Sequence, residues 1–241
     1  MPDDPSGSTR VSLTRMRRAI ARSMVASAAV PQFAIESDVR VGALRALRPQ
    51  LAARGVPFSY TDAFVAASAA ALAIHPRVNA SFADDAILEH GAINIGLAIA
   101  LEDGLVAPAI LRADRLGVAD LAAERERLTA AAASGTLSGE ELMSATFTVS
   151  NLGTHGVRRF TALVVPPQAA ILAVGGVTPE GLVSLTLSCD HRVLDGAPAA
   201  RFLADVIGRL ERPDWLEAAG CPNPPGSPGA EGEGFEPSGR G

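Results

Sequence analysis

The chain has 241 residues, a formal net charge of −5, 48% apolar residues and only 4% aromatic residues. One large core is affordable, but Ala, Val, Leu and Ile must build it, and the acidic balance argues against a nucleic-acid protein, which carries a basic domain or stripe. All 21 basic residues are arginine, which excludes a Schiff-base lysine, a phosphate-loop lysine and a lysine carrying a swinging cofactor.

Residues 1–11 are polar, with no apolar run of the kind that makes a signal peptide, and are expected to be disordered. "SLTRMRRAIARSMVASAA" reads as a helix with Arg15, Arg18 and Arg22 near one face, closed by Pro31. "QFAIESDV" alternates as a strand. "VGALRALRPQLAARG" is helical in pattern but holds Pro49, where a helix is expected to begin or to kink. "SYTDAFVAASAAALAIHP" is a strong helix, capped by Ser59 or Thr61 and closed by Pro76. "DAILEH", "AINIGLAIAL" and "GLVAPAIL" read as strands. The second is ten residues long, a buried strand rather than a membrane span. "VADLAAERERLTAAAASG" predicts a helix stopped by Gly135. "TFTVSNLG", "AAILAVGGV" and "LVSLTLSC" are strands, and "APAARFLADVIGRLERP" is the closing helix. Helices and strands intermix without a regular βαβ repeat, so the expectation is an α/β fold with a mixed sheet and helices packed on it. The folded domain is expected over 12–217. Twelve of the last 22 residues are Gly or Pro, so 218–241 read as a disordered tail.

Two stretches could carry chemistry. In "LSCDHRVLDGAPAARF", His191 stands between a strand and a helix. Asp195 follows four residues later, on the same face if helical, and Gly196 permits close backbone approach. In "TFTVSNLGTHG", Ser150 ends a strand before a glycine-rich turn. A Ser, a His and an Asp suggest a hydrolase triad, but "TVSNL" lacks the G-x-S-x-G elbow of a serine nucleophile. A histidine base with a serine hydroxyl as hydrogen-bond donor is the better reading. A structural histidine is the plain alternative for His191. His75 reads as a helix-end cap, while His90 and His155 receive no role. The arginines of the first helix suit phosphate or an acidic partner, or simply a solvated face. Cys189 and Cys221 have neither CxxC spacing nor a nearby His cluster, which argues against a metal site and a disulfide framework and suits the cytoplasm.

"DHRVLDG" resembles the D-H-R-x-x-D-G signature of dihydrolipoamide acyltransferases, the core subunits of 2-oxo acid dehydrogenase complexes, and the H-x-x-x-D-G pattern shared with chloramphenicol acetyltransferase. "LTRMRRAIARSM", "VPQFAIESDVRVGALRALR", "NIGLAIALEDGLVAPAI", "FTVSNLGTHG" and "PPQAAILAVG" are similar to that family's other motifs, in the same order. The resemblance implies a chloramphenicol acetyltransferase-like fold and a homotrimer. It implies transfer of an acyl group between dihydrolipoamide and coenzyme A, with His191 as general base and Ser150 as oxyanion donor. Asp195 supports the histidine loop through an arginine of the first helix, Arg18 or Arg17, with Asn151 and Gly196 also at the site. Since no lysine is present, the lipoyl group comes from another chain, a lipoyl-domain protein among other 2-oxo acid dehydrogenase components. No nucleic acid, metal or membrane is expected. The alternatives are a non-catalytic trimeric scaffold of such a complex and a stand-alone acyltransferase using coenzyme A and a small acceptor. Cys189, Val165, Arg158 and Arg159 depart from the family's pattern.

Overall fold

Alternation along one long strand organises the molecule. The computed structural model describes residues 8–218; the expected disorder of 1–7 and of 219–241 lies outside the described residues. In chain order the elements are α1 (Arg15–Ala28), β1 (Gln32–Arg40), α2 (Gly42–Ala53), α3 (Tyr60–Leu72), β2 (Ala80–Ala83), β3 (Ala86–Glu89), β4 (Ile95–Leu97), β5 (Ile99–Leu101), β6 (Gly104–Val106), β7 (Ala109–Ile110), α4 (Val118–Ser134), α5 (Gly139–Met143), β8 (Phe147–Asn151), β9 (Ala170–Val174), β10 (Leu182–Asp190), α6 (Gly196–Glu211) and α7 (Trp215–Ala218). Six strands form one mixed sheet in the order β1-β10-β9-β8-β4-β7. β8 runs parallel to β9 and to β4, and the other pairs are antiparallel.

Because side chains alternate across a strand, β10 presents Val183, Leu185, Leu187 and Cys189 to one face and Ser184, Thr186, Ser188 and Asp190 to the other. The first set joins Phe147, Val149 and Leu172 in the core. α3 and α6 pack on this apolar side. α3 is apolar nearly all round and buried along most of its length, as a helix enclosed by its neighbours must be. The second, hydroxyl-bearing face is crossed by residues 157–165. The Ser27 hydroxyl donates to the Val164 carbonyl (2.6 Å), the Val164 N–H donates to Gln32 (2.9 Å), and Arg159 pairs with Glu36 (2.7 Å).

Several sequence expectations change. α2 runs through Pro49 without ending; the proline is exposed, and burial of Leu44, Leu47 and Leu51 on the opposite side offsets the lost backbone hydrogen bond. "AINIGLAIAL" is two strands. β4 belongs to the sheet, while β5 folds back on β6 as a hairpin about Glu102 and Asp103, a two-residue turn that keeps the apolar run from continuing. Pro108 likewise divides "GLVAPAIL" into β6 and β7. At the end of α3 the His75 backbone N–H donates to the Ala71 carbonyl (3.0 Å), but its side chain makes no capping bond; its ring lies edge-on to Phe202, and its Nε2 is 3.6 Å from Asp205. α5, opened by Ser138 and Glu141 as a capping box, was not expected from the sequence.

Candidate active site

β10 ends at Asp190, and the chain turns before α6. The N–H groups of Val193 (3.0 Å) and Leu194 (2.9 Å) both donate to the Asp190 carbonyl. The Asp190 carboxylate, 2% exposed, would be costly to bury alone. It is satisfied by its own turn: the Arg192 N–H (2.9 Å), Nε (3.0 Å) and Nη2 (2.7 Å) all donate to it. The same guanidinium lies 4.5 Å from the centre of the Phe82 ring, a cation–π contact. His191 is thereby held outward between two braced residues. Its backbone N–H donates to the Pro31 carbonyl (2.8 Å), and its ring leans on Phe33 at 4.7 Å. The imidazole itself stays half exposed, at 53%.

Asp195 stands at the N-cap of α6 but makes no capping bond. Its Oδ1 is 3.8 Å from His191 Nδ1, beyond hydrogen-bond range. The expected pairing with α1 does not occur within the chain. Arg18 is exposed and donates to the Leu13 carbonyl (2.7 Å). α1 packs instead through Met16 and Ile20 near Gly104 at the β5–β6 hairpin. Gly196 has no atom within 4 Å of where a Cβ would stand, so close backbone approach is not its role inside the chain.

Ser150 lies near the end of β8 on the hydroxyl-bearing face, in register with Ala173 of β9. Among the described residues its hydroxyl has no hydrogen-bond partner. Asn151 points to the other side of the sheet. Its Nδ2 donates to the Thr61 hydroxyl (3.1 Å), and its Oδ1 accepts from the Gly153 N–H (2.8 Å). It therefore ties the strand end to α3 and shapes the following turn. That turn is tight: a Cβ on Gly153 would stand 2.6 Å from the Gly175 carbonyl oxygen, and a Cβ on Gly175 would overlap the Arg158 carbonyl.

Register separates the two principal residues. Ala173, level with Ser150, is also level with Thr186 of β10, and His191 lies five residues further on. At roughly 3.3 Å per residue and about 4.8 Å per strand, the two sites are on the order of 15–20 Å apart within one chain.

Cys189 is fully buried beside Asp190, and burial followed by the neighbouring carboxylate pushes its thiol up to about 12. It is a core residue rather than a nucleophile. Sequence reasoning passed over the Asp190–Arg192 brace and the Phe33 backing. The first was visible as the D-x-R spacing around the histidine; the second needs strand pairing. Among the described residues no three His, Cys, Asp or Glu side chains are grouped to hold a metal ion, and no helix is long and apolar enough to cross a membrane.

A family model for the catalytic domain of 2-oxoacid dehydrogenases acyltransferase matches residues 5–217. The chain belongs to this family. One similar relative is the dihydrolipoyllysine-residue acetyltransferase component of the pyruvate dehydrogenase complex of Zymomonas mobilis, 34% identical over 227 residues, covering 88% of this chain and 51% of that protein. The chain thus spans about half the length of such relatives. A solved Azotobacter vinelandii dihydrolipoamide acetyltransferase is 28% identical with a TM-score of 0.82, over 90% of this chain and 98% of that one. That study addressed the role of a serine, a histidine and an asparagine in its catalytic mechanism. Chloramphenicol acetyltransferase, at 15% identity over 79% of this chain and 92% of that one, shares the fold with a TM-score of 0.50. The mixed sheet with helices packed on it is the fold shared with these solved structures.

Proposed function

We propose that the chain moves an acyl group between dihydrolipoamide, presented by another polypeptide, and coenzyme A. The observation that carries this reading is the braced turn at 190–195, which holds a half-exposed imidazole outward at the point where the family signature falls. These 241 residues hold no lysine, so in this reading the lipoyl group rides on a lysine outside them.

In the proposed step, His191 takes the proton of the attacking thiol, and the sulfur bonds to the thioester carbonyl carbon. Ordinary thiol and imidazole pKa values differ by about two units, so the transfer is uphill by roughly 2.7 kcal/mol, within the reach of a positioned base. The Ser150 hydroxyl donates to the oxyanion that forms. Collapse of the intermediate breaks the original carbon–sulfur bond, and the departing thiolate recovers the proton from His191. No acyl group rests on the enzyme.

The long separation of Ser150 and His191 within one chain, and the unpartnered Ser150 hydroxyl, support a site shared between copies. In this reading His191 of one subunit faces Ser150 of its neighbour in a homotrimer. Purified protein, coenzyme A and S-acetyl-dihydrolipoamide provide the test. Acetyl-coenzyme A should form with the parent chain and not with His191→Ala. Absence of transfer by the folded parent protein overturns the reading.

A further inference from the structure

A second concave feature lies away from the proposed site, where α6 gives way to α7. A groove of about 400 Å³ is lined by Ala204, Asp205, Gly208, Arg209, Arg212 and Trp215, within the size range of small-ligand sites, about 300–1,000 Å³. Its construction is specific. Gly208 leaves the floor low: a Cβ there would meet only the Arg212 Nη2, at 3.5 Å. The Trp215 indole forms a wall, fixed by donation from Nε1 to the Arg209 carbonyl (3.0 Å). Arg209 packs beside that indole, 5.9 Å from the ring centre, and its Nε is bonded to Asp205 (3.1 Å). Asp205 is therefore already engaged. Arg212 is exposed and, among the described residues, has no carboxylate partner. The nearby Asp214 does not line the groove. An aromatic wall, an open floor and an unpaired guanidinium suit an aromatic side chain flanked by carboxylates.

The chain carries such a segment. Residues 231–237 read "EGEGFEP", with Phe235 set among Glu231, Glu233 and Glu236 and no basic residue before Arg240. The described chain ends at residue 218, three residues after Trp215 itself. Twelve residues, 219–230, join the two. Twelve residues reach at most about 40 Å when fully extended, so the groove is within reach, and tethering supplies an effective concentration in the mM range.

We propose that the groove between α6 and Trp215 is the docking site of the chain's own acidic-aromatic segment, Glu231–Pro237. Phe235 packs on the indole, and the flanking carboxylates meet Arg212 and Arg209. Tethering lets even a weak contact, with an intrinsic dissociation constant near 1 mM, fill the groove about half the time. This inference does not depend on the acyl-transfer reading.

Trp215 is the only tryptophan of the chain, so its fluorescence reports on the groove without labelling. Acrylamide quenching is measured on the full-length protein and on two full-length variants, Phe235→Ala and the triple substitution Glu231→Gln, Glu233→Gln and Glu236→Gln. These changes lie outside the described fold. Both variants should be quenched about two-fold more readily than the parent, as expected for a half-filled groove, and Arg212→Gln should behave like the triple variant. High salt should raise quenching of the parent and leave the triple variant unchanged. Equal quenching of all the proteins overturns the proposal. So does protection that appears only as protein concentration rises, which assigns the groove to a second copy.

Discussion

Arg192 closes its guanidinium on the carboxylate of Asp190, Nη2 to Oδ2 at 2.7 Å, across the one residue that separates them, His191. The brace acts on the histidine through the backbone rather than by touching its ring. Arg192→Met removes the fork and leaves a buried carboxylate with only backbone support. It should destabilise the fold by about 1–3 kcal/mol, the range for stranding a buried polar group. Acyl transfer should fall further than the folded fraction does. Thermal melting paired with steady-state rates checks both, and normal activity in a destabilised variant removes the positioning role.

Ser150→Ala should lower kcat by about 10²–10³ with little change in KM, because a hydroxyl that serves only the oxyanion stabilises the transition state alone. Steady-state kinetics against both thioester and thiol measure this. A rise in KM at constant kcat would instead mark Ser150 as a ground-state contact.

Separation of the two residues along the sheet gives a mixing experiment. His191→Ala chains, which are inactive, and Ser150→Ala chains, which are strongly impaired, should together recover part of the parental activity after subunit exchange, since some interfaces then hold both intact groups. Mass spectrometry of differently tagged chains verifies the exchange. No recovery in verified mixed oligomers excludes a shared site.

The capping box of α5 predicts an acid-side effect. The Ser138 backbone N–H, and after it the Arg127 guanidinium, hold the Glu141 carboxyl down to about 2, against an ordinary 4.5. A carboxylate depressed in the folded state stabilises above its unfolded pKa and loses that contribution as pH falls through the folded value. Glu141→Gln should thus lower stability at neutral pH and shallow the loss between about pH 4.5 and 2. Denaturant titrations across that window test it, and parallel curves for the two proteins refute it.

Cys189 should be inert in the native protein. In a Cys221→Ser background, a thiol reagent at pH 8 should label the folded chain hardly at all and label one thiol per chain after denaturation. Rapid labelling under native conditions would contradict a thiol raised by burial.

How far the sequence could be read depended on distance along the chain. The turn from Asp190 to Gly196 was legible because its strand, histidine, acidic residue and helix are consecutive. Ser150 was legible as a strand end before glycines. Their separation was not, since it follows from the pairing of β8 with β9 and of β9 with β10. Arg18 was assigned to Asp195 by resemblance. Met16 and Ile20 pack α1 near Gly104 instead, a contact that no local pattern announces. Pro49 does not begin a helix, because three buried leucines on the far side of α2 outweigh its missing N–H.

The crossing of Gly153, Gly175 and the Arg158 carbonyl bears on how variation in this protein is interpreted. A saturation scan would return Gly153 and Gly175 as intolerant of every side chain, Ala included, with scores resembling those of His191. Neither glycine has a side chain that could move a proton or form a bond. Their sensitivity comes from backbones packed too closely for a methyl group, so loss of abundance and loss of turnover would coincide at the glycines and diverge at the histidine. Scoring expression and activity separately would keep a folding constraint from being taken for part of the chemistry.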